Sequence, residues 1–408
     1  MLVSLLRWAS LTIAILPLVY YLAATLCAWD FFRRKRKPNA DFTPPVSILK
    51  PLKGLDRDAY ENLASYCRQD YPEYEVLFGV DDERDSAIPA VERIRRDFPG
   101  IPIRLVIGKA DQAANNKVAK LCRLLPEARH ELLVISDADT RVRPDYLRRV
   151  VAPFRDPSIG AVTSLYRGMT LPNLWSELEG LNLTSDWLAS TLVARKLEGV
   201  RFALGATMAV TRTRLAEIGG FEALADCAAD DYELGRRIAG RGFRVELIPG
   251  PVLTLCASAT ARQFFSHQLR WGVFIRHCRP WGYVGQLFTK GLPWSIAAAL
   301  VAPSRLIAIG CLAIPLAARL GLALSFGVYG MKDRLLIRKW WLIPLRDALE
   351  FLIWALSLLS NRVSWGDSEF YVRRGRLIPV RPKPLPGRAP VTAHVEGDQD
   401  SAAEETRL

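Results

Sequence analysis

The chain has 408 residues, half of them hydrophobic, and its 55 basic and 42 acidic residues give a net charge of +13. This composition excludes an intrinsically disordered chain, a collagen and a small disulfide scaffold. The seven cysteines are scattered and form no CxxC pair. A zinc site or a disulfide framework is therefore not expected, and free thiols suit a reducing cytosol.

Residues 1–32 are predicted to be an N-terminal transmembrane signal anchor. Residues 2–29 are almost entirely apolar, which is enough to cross a hydrocarbon core of about 30 Å at about 1.5 Å per residue. The basic cluster 33–37 follows this segment rather than preceding it. The positive-inside rule then leaves the N-terminus outside and the rest of the protein in the cytoplasm.

Residues 283–362 are predicted to be a C-terminal membrane region. Three apolar stretches lie in it, at 294–302, 306–326 and 341–359, and two to four membrane segments fit. The basic segment 363–380, predicted to be juxtamembrane, favours a cytosolic end and an even number of spans, with one stretch re-entrant or interfacial. The Pro-, Gly- and acid-rich residues 381–408 are expected to be a disordered tail.

Residues 40–282 are predicted to form one cytosolic α/β domain, because short β-branched runs alternate with amphipathic segments. Helical segments are expected at 57–69, 89–97 and 232–241. Strands are expected at 46–49, 75–80, 103–107, 132–136, 161–165, 208–211 and 244–248. Such alternation predicts a Rossmann-like, mostly parallel sheet with helices on both faces, in which ligands bind at the carboxyl ends of the strands.

Acidic residues follow these predicted strand ends. Asp82 follows the second strand, Asp137 and Asp139 follow the fourth, and the pair Asp230 and Asp231 precedes a helix. Two carboxylates one residue apart suit Mg²⁺ or Mn²⁺, which bridges diphosphate oxygens. Each group also has a simpler interpretation, since a solvated turn or a helix N-cap uses the same residues. The chain has no GxGxxG or Walker A sequence to cradle phosphates.

A fourth element is the sequence His267-Gln268-Leu269-Arg270-Trp271. Arg270 offers a cation for a leaving diphosphate and Trp271 a flat face for a sugar or base, although an Arg beside a Trp also serves as an interfacial anchor. The basic residues of the chain cluster beside its apolar stretches, where they face anionic lipid headgroups. No nucleic-acid-binding motif is present, so a nucleic-acid partner is not expected.

These elements resemble the ceramide glucosyltransferase family of inverting GT-A enzymes, including its bacterial relatives that glycosylate hopanoids. The resemblance covers residues 5–375. It is carried by the segment 47–54 (SILKPLKG), by Asp82, by the DAD of 137–139, by the ADDY of 229–232 and by the terminal Arg-Trp of a (Q/R)xxRW motif. His267 stands at the first place of that motif, with Gln268 beside it. Residues 363–365, Tyr371 and Arg373 are similar to the family's C-terminal segment.

The resemblance implies a membrane-bound, UDP-sugar-dependent hexosyltransferase of class EC 2.4. It would move a hexose, such as that of UDP-glucose, to a lipid hydroxyl with inversion, for glycolipid synthesis at a bacterial inner membrane. By resemblance, Asp82 holds the uracil or ribose. Asp137 and Asp139 hold the sugar diphosphate and a divalent ion, and Asp231 is the general base. Lys117, Arg270 and Trp271 also belong to the donor side, and Asp230, His267 and Gln268 to the acceptor side.

Several alternatives stay open at this point. A hopanoid N-acetylglucosaminyl-type transferase, a processive polysaccharide synthase and a polyprenyl-phosphate sugar transferase would use the same motifs. A non-catalytic membrane scaffold would keep only the fold. Ceramide, hopanoid and diacylglycerol all fit as acceptors. An interfacial platform is expected from five aromatic residues, namely Phe264, Phe265, Trp271, Phe274 and Trp281.

Overall fold

The computed structural model describes residues 2–33, 42–108, 113–366 and 368–380. The basic residues 34–37 and the predicted disordered tail 381–408 lie outside the described residues.

Two sheets organise the described chain. The strands are β1 (Val46–Pro51), β2 (Tyr74–Val80), β3 (Ile103–Ile107), β4 (Leu132–Ile135), β5 (Thr140–Arg141), β6 (Ile159–Thr170), β7 (Met208–Thr211), β8 (Arg244–Cys256), β9 (Arg362–Trp365), β10 (Ser368–Arg373) and β11 (Arg376–Pro379). The larger sheet has the order β3-β2-β1-β4-β7-β6-β8-β5. Strands β1 to β4 are mutually parallel, as are β6 and β8, whereas β7 is antiparallel to both its neighbours. The prediction of a mostly parallel α/β sheet is confirmed.

Helices cover the sheet and extend beyond it. They are α1 (Leu2–Ile13), α2 (Ile15–Arg33), α3 (Ala59–Cys67), α4 (Ile88–Asp97), α5 (Asn116–Glu127), α6 (Tyr146–Val151), α7 (Leu174–Asn182), α8 (Leu188–Glu198), α9 (Arg212–Glu217), α10 (Asp230–Gly240), α11 (Ala261–Cys278), α12 (Pro280–Gly285), α13 (Gly291–Leu300), α14 (Arg305–Ala323), α15 (Arg334–Lys339) and α16 (Ile343–Ser357). Leu183–Trp187 and Leu324–Gly330 are π-helical.

The strand order reverses between β1 and β4, in the interior of the larger sheet. The chain runs outward from β1 through β2 to β3, then returns to the other side of β1 as β4. Ligands in open α/β sheets bind where the strand order reverses in this way. Strands β1 and β2 are buried along their full length, so only the residues after the strand ends are free to meet a ligand there.

Two helical segments are long and apolar enough to cross a membrane. They are Ser10–Arg33, which includes α2, and Arg305–Gly330, which includes α14. Helix α13 is a shorter apolar helix, and it packs against α14. The third apolar stretch, 341–359, does not pass this test among the described residues. Its helix α16 carries Arg346, buried to 1 % exposure, and Glu350, which contacts Lys290 at 3.1 Å.

The smaller sheet of β9, β10 and β11 lies against the α/β domain. Leu377 N donates to Asp226 O at 2.8 Å, and Ala228 N donates to Gly375 O at 2.9 Å. Val363, Phe370 and Val372 form a buried apolar cluster with residues of α11. This segment, predicted as a basic juxtamembrane stretch, is thus a meander of three strands. It packs against α11, the helix that carries the motif residues His267 to Trp271 and is called the motif helix below.

Candidate active site

Helices α5 and α10 begin beside the turn that follows β4. The Nζ of Lys117 lies 2.7 Å from Asp137 Oδ1 and 3.3 Å from Asp230 Oδ2. Burial of this lysine disfavours its charged form, but the surrounding carboxylates of Asp137, Asp230 and Asp231 outweigh burial and raise the pKa of Lys117. The lysine therefore stays cationic at the centre of the acidic cluster.

Asp231 belongs to the same cluster, and Gly205 shows how close its members are. A Cβ on Gly205 would lie 3.1 Å from Asp137 Oδ2, 3.3 Å from Asp231 Oδ2 and 3.5 Å from Lys117 Nζ. Asp231 is not a helix N-cap, because that position of α10 is occupied by Ala229. Burial, and then the charge of Asp230, raise the pKa of Asp231 to about 6. A carboxyl with this pKa is a competent general base near neutral pH.

Asp139 lies deeper, at the start of the turn back into β5. Its Oδ2 accepts from Thr254 Oγ1 at 3.2 Å. Burial, and then the charge of Asp137, raise the pKa of Asp139 to about 7. A buried carboxylate that is this reluctant to ionise is a site where a cation would be favoured.

A buried lysine, which is not among the site residues predicted from the sequence, hydrogen-bonds to the turn 137–139. Lys50, on β1, is fully buried. Its Nζ donates to Asp137 O at 2.5 Å and to Thr140 Oγ1 at 3.1 Å, and it lies 3.8 Å from the centre of the Tyr66 ring. Burial lowers the pKa of Lys50 to about 7, although Asp139 and Asp137 oppose this. A charged residue within an otherwise apolar strand is the sequence signal for this role.

Asn115 joins the starts of α5 and α10. Its Oδ1 caps α5 by accepting from Lys117 N at 3.1 Å and Val118 N at 3.3 Å. Its Nδ2 donates to Asp230 Oδ1 at 3.2 Å and to Cys227 O at 3.0 Å. Asp230, predicted on the acceptor side, is thus buried beside Asn115 and Lys117.

Asp82 lies at the same edge of the sheet but outside this cluster. It is exposed, and its Oδ1 accepts from Arg84 N at 2.7 Å in a local turn. Its neighbour Asp81 is the residue connected to the site helix, through ion pairs with Lys120 and Arg123 of α5. The structure brings Asp137 and Asp231 together at Gly205 and places Asp139 beside Asp137. Among the described contacts, none joins Asp82 to them.

Helix α11 places the Arg-Trp pair of the motif. The guanidinium carbon of Arg270 lies 5.1 Å from the centre of the Trp365 ring, which also packs on Phe274 at 5.8 Å. Burial lowers the pKa of Arg270 to about 10, opposed by the charges of Glu179 and Asp137, so the side chain remains a cation at neutral pH. The strand β9 therefore supports the arginine of a motif almost 100 residues earlier.

Trp271 is part of an aromatic wall. Its ring lies 5.1 Å from that of Trp187 and 4.9 Å from that of His267, and Trp187 packs on Tyr166 at 5.5 Å. His267 Nδ1 contacts Glu179 Oε1 at 2.6 Å. Although burial opposes it, hydrogen bonds from His267 and Ser258 lower the pKa of the Glu179 carboxyl. Glu179 had no motif around it and was missed in the sequence.

Gln268 points away from the wall. It is 4 % exposed, and its Oε1 accepts from Asn182 Nδ2 and from Arg346 Nη2, both at 3.2 Å. One residue along a helix turns the side chain by about 100°, which explains why Gln268 and His267 face different surroundings.

The expected aromatic platform differs from the observed one. Phe264 is buried among helices and Phe274 against the smaller sheet, whereas Trp281 is 86 % exposed. Of the five aromatic residues, Trp281 has the exposure that an interfacial anchor requires.

The donor set fits a divalent cation held partly by a ligand. No group of three His, Cys, Asp or Glu side chains is clustered as a metal site within the residues that the structure describes. Mg²⁺ sites in nucleotide-binding proteins commonly use one or two carboxylates and take their other ligands from phosphates and water. Asp137 and Asp139 supply such a pair, and the raised pKa of the buried Asp139 carboxyl is the observation that favours a cation there.

Alanine at Gly205 should suppress activity without unfolding the protein. Its methyl group would lie 3.1 Å from Asp137 Oδ2 and 3.3 Å from Asp231 Oδ2, and the glycine does not have a positive φ. We expect turnover to fall at least about tenfold with the unfolding temperature little changed. Gly240→Ala is the control, since nothing lies within 4 Å of its Cβ position. Equal activities of the two variants would show that the space beside Asp137 and Asp231 is not the reaction site.

Comparisons with known proteins show two glycolipid synthases to which this chain is similar. Ceramide glucosyltransferase 1 of Caenorhabditis elegans is 27 % identical over 261 residues, which are 64 % of this chain and 55 % of that protein. Beta-monoglucosyldiacylglycerol synthase of Synechocystis sp. is 24 % identical over 308 residues, 71 % of this chain and 62 % of the synthase. This chain therefore spans little more than half the length of the ceramide enzyme.

A solved structure shows the same fold. The mannosyltransferase PcManGT from Pyrobaculum calidifontis, in complex with GDP-Man and Mn²⁺, superposes with a TM-score of 0.54 at 22 % identity, over 88 % of this chain and 99 % of that one. The predicted GT-A-like fold is confirmed. The family model for glycosyl transferase family 21 matches residues 6–378. The chain belongs to glycosyl transferase family 21, whose members are sugar-transferring enzymes of class EC 2.4.

Proposed function

We propose that this protein is a membrane glycosyltransferase that moves a hexose from a UDP-sugar to a lipid hydroxyl with inversion. The observation that carries the proposal is the convergence of Asp137, Asp231 and Lys117 around Gly205, at the strand-order reversal of a GT-A-like sheet. The two curated relatives named above are glycolipid synthases by their names, which supports a lipid acceptor.

On the donor side, Asp137 and Asp139 would hold Mg²⁺ or Mn²⁺, and the ion would neutralise charge on the diphosphate. The solved mannosyltransferase contains Mn²⁺ with a nucleotide sugar, which supports this assignment. Lys50 fixes the backbone of the turn through Asp137 O. Asp82, in its exposed turn, is proposed for the uracil or ribose end, at a distance from the reacting atoms.

On the acceptor side, Asp231 is the proposed general base. Its carboxylate takes the proton of the lipid hydroxyl as that oxygen forms a bond to the sugar C1, while the bond from C1 to the diphosphate oxygen breaks. A hydroxyl is a poor nucleophile without such a base. Asp230 and Lys117 orient the base, because Asp230 is buried and forms an ion pair with the partly buried Lys117 beside it.

Arg270 would stabilise the negative charge that develops on the departing UDP. Its cationic form is favoured by Glu179 and Asp137. Trp271 and Trp187 form the aromatic wall on which a sugar or an acceptor headgroup would rest, and His267 is held at its edge by Glu179.

The membrane placement follows from the apolar helices. We propose residues 1–32 as an anchor, 40–282 as a cytoplasmic catalytic domain, and 283–362 as a membrane region, at the inner membrane of a bacterium. The two candidate spans and the exposed Trp281 support this division. The segment 363–380 would complete the catalytic domain as its supporting meander.

The acceptor decides between the remaining functions. We favour an alcohol such as ceramide, with diacylglycerol as a second candidate because of the likeness to the diacylglycerol enzyme. A hopanoid transferase, a polyprenyl-phosphate transferase and a polysaccharide synthase would form other products.

Mass spectrometry of host lipids with and without the protein tests the proposal. We expect one hexosylated lipid alcohol to disappear with the protein and to return with the wild-type chain but not with the Asp231→Asn variant. Purified protein, UDP-glucose or UDP-N-acetylglucosamine, and vesicles containing ceramide, hopanoid or diacylglycerol then identify the pair. An unchanged lipid profile, or a polymeric or phosphate-linked product, would contradict the proposal.

A further inference from the structure

The π-helical segment 183–187 is the junction between the apolar helices and the aromatic wall. Thr184 Oγ1 donates to Asp333 Oδ2 at 2.5 Å. The backbone of the other π-helical segment approaches so closely that a Cβ on Gly327 would lie 2.8 Å from Thr184 O. Isolated π-helical turns are often found at functional sites, because they are strained and need support.

A buried arginine of α14 donates hydrogen bonds to this segment. Arg319 Nη1 donates to Ser185 O at 2.7 Å, and Nη2 contacts Ser185 Oγ at 3.2 Å. The same guanidinium makes a bidentate pair with Asp347 of α16, at 3.0 and 2.9 Å. The two side chains are 4 % and 17 % exposed. An arginine placed in an apolar span is energetically costly, so its retention there calls for a specific role.

The segment that Arg319 contacts ends at the aromatic wall. Trp187 is the last residue of the π-helical segment, two residues after Ser185. Its ring lies between Trp271 of the motif helix and Tyr166 of β6. Burial, and then the charges of Asp231 and Asp137, raise the pKa of the Tyr166 phenol, which lies close to the acidic cluster. A shift of the segment would therefore move the ring that borders the reaction site.

We propose that Arg319 and Asp347 are positioning residues for the lipid acceptor: they hold the segment 183–187 so that Trp187 presents its face beside Trp271, where the acceptor headgroup binds. This inference rests on the proposed function for the identity of the acceptor. It assigns the membrane helices a part in acceptor recognition and leaves donor binding to the turn 137–139.

The test uses a double variant that leaves the net charge of the interior unchanged, with Asp186 as the carboxylate that remains near position 319. Arg319→Met with Asp347→Leu removes both charges together, and replacing a buried ion pair by apolar residues is often tolerated. It leaves Ser185 without its partner. Arg319→Lys keeps a charge but lacks the planar fork that reaches two partners at once. Ile309→Met, on an exposed face of the same helix, is the control.

We expect both Arg319 variants to raise the KM for the lipid acceptor about 2- to 30-fold, with the KM for the UDP-sugar and the unfolding temperature near those of the wild type. Circular dichroism gives an independent readout, because the adjacent Trp187 and Trp271 rings couple their transitions. Trp187→Phe defines the spectrum without this coupling, and the Arg319 variants should approach it.

An unchanged acceptor KM together with an unchanged tryptophan spectrum in the double variant would overturn the inference. If the wild-type protein glycosylates no lipid at all, the proposed function fails instead. The spectrum would still report whether Arg319 positions Trp187.

Discussion

Replacing Asp231 with asparagine should abolish transfer while leaving UDP-sugar binding near normal. The amide keeps the size of the side chain but cannot take the proton of the acceptor hydroxyl. General base catalysis contributes about 10²- to 10⁴-fold, so we expect kcat to fall by that factor. Radiolabelled transfer assays give kcat, and calorimetric titration with the UDP-sugar gives the donor affinity.

The pH profile of the wild type carries the same information. The base acts in its ionised form, and the pKa of Asp231 is raised to about 6. The rate should therefore rise with pH through about 6 and level off above it, and the variant should lack this limb. Glu233→Gln, on the same helix but paired with Arg236 and Arg237, is the control and should keep the wild-type profile. Wild-type turnover by Asp231→Asn would refute the assignment of the base.

Replacing Asp139 with asparagine should remove metal-dependent donor binding and leave the protein at least as stable as before. The pKa of the Asp139 carboxyl is raised by burial, so its folded state binds a proton more tightly than the unfolded chain does. The free energy of unfolding then decreases as the pH rises above the pKa of this group in the unfolded chain. The ionised carboxylate therefore destabilises the folded protein at neutral pH. Asparagine removes that penalty together with the cation ligand.

Two measurements separate these effects. Titration with UDP in the presence of Mn²⁺ should show at least about a tenfold loss of affinity for UDP. The variant no longer holds the cation that would neutralise the charge of the diphosphate. Thermal unfolding should show Mn²⁺ with UDP stabilising the wild type but not the variant. Asp156→Asn, at an exposed ion pair with Arg244, is the control. A variant that keeps metal-dependent UDP binding would place the cation elsewhere.

Much of the sheet could be predicted because buried parallel strands are short apolar runs between turns. The predicted strand 103–107 matches β3, and 208–211 matches β7. The strands β6 and β8 are longer than predicted, since they pair with each other well beyond the apolar core. The two-residue strand β5 has no pattern of its own and exists because β8 passes beside it.

The site could be predicted only in part, because strand order decides which strand ends meet. Asp137 follows β4 and Asp231 begins α10, and the contacts of Lys117 with Asp137 and Asp230 bring these two elements together. Asp82, at the end of β2, forms only a local turn with Arg84 among its described contacts. Gln268 is predicted on the acceptor side as the neighbour of the first place of the motif, and its side chain contacts Arg346. Glu179 and Asn115 are recognisable as site residues only through contacts with residues far away in the chain.

Residues 283–362, predicted to be a membrane region, show the same limit. Hydropathy marks the segment 341–359 as apolar, but Arg346, Asp347 and Glu350 lie on the inward face of α16 and bind residues of other helices. A window average does not distinguish a helix facing lipid from one that closes a polar interior. The residues that its charged side chains contact in the folded structure distinguish these two kinds of helix.

The anomalous scattering of Mn²⁺ in crystals of Asp231→Asn with UDP-sugar tests the central claim most directly. The account predicts a manganese peak bound by Asp137 and Asp139, with the sugar C1 between the diphosphate and the substituted side chain at position 231, near Gly205. A manganese peak away from the turn 137–139, or a sugar directed away from position 231, would contradict it.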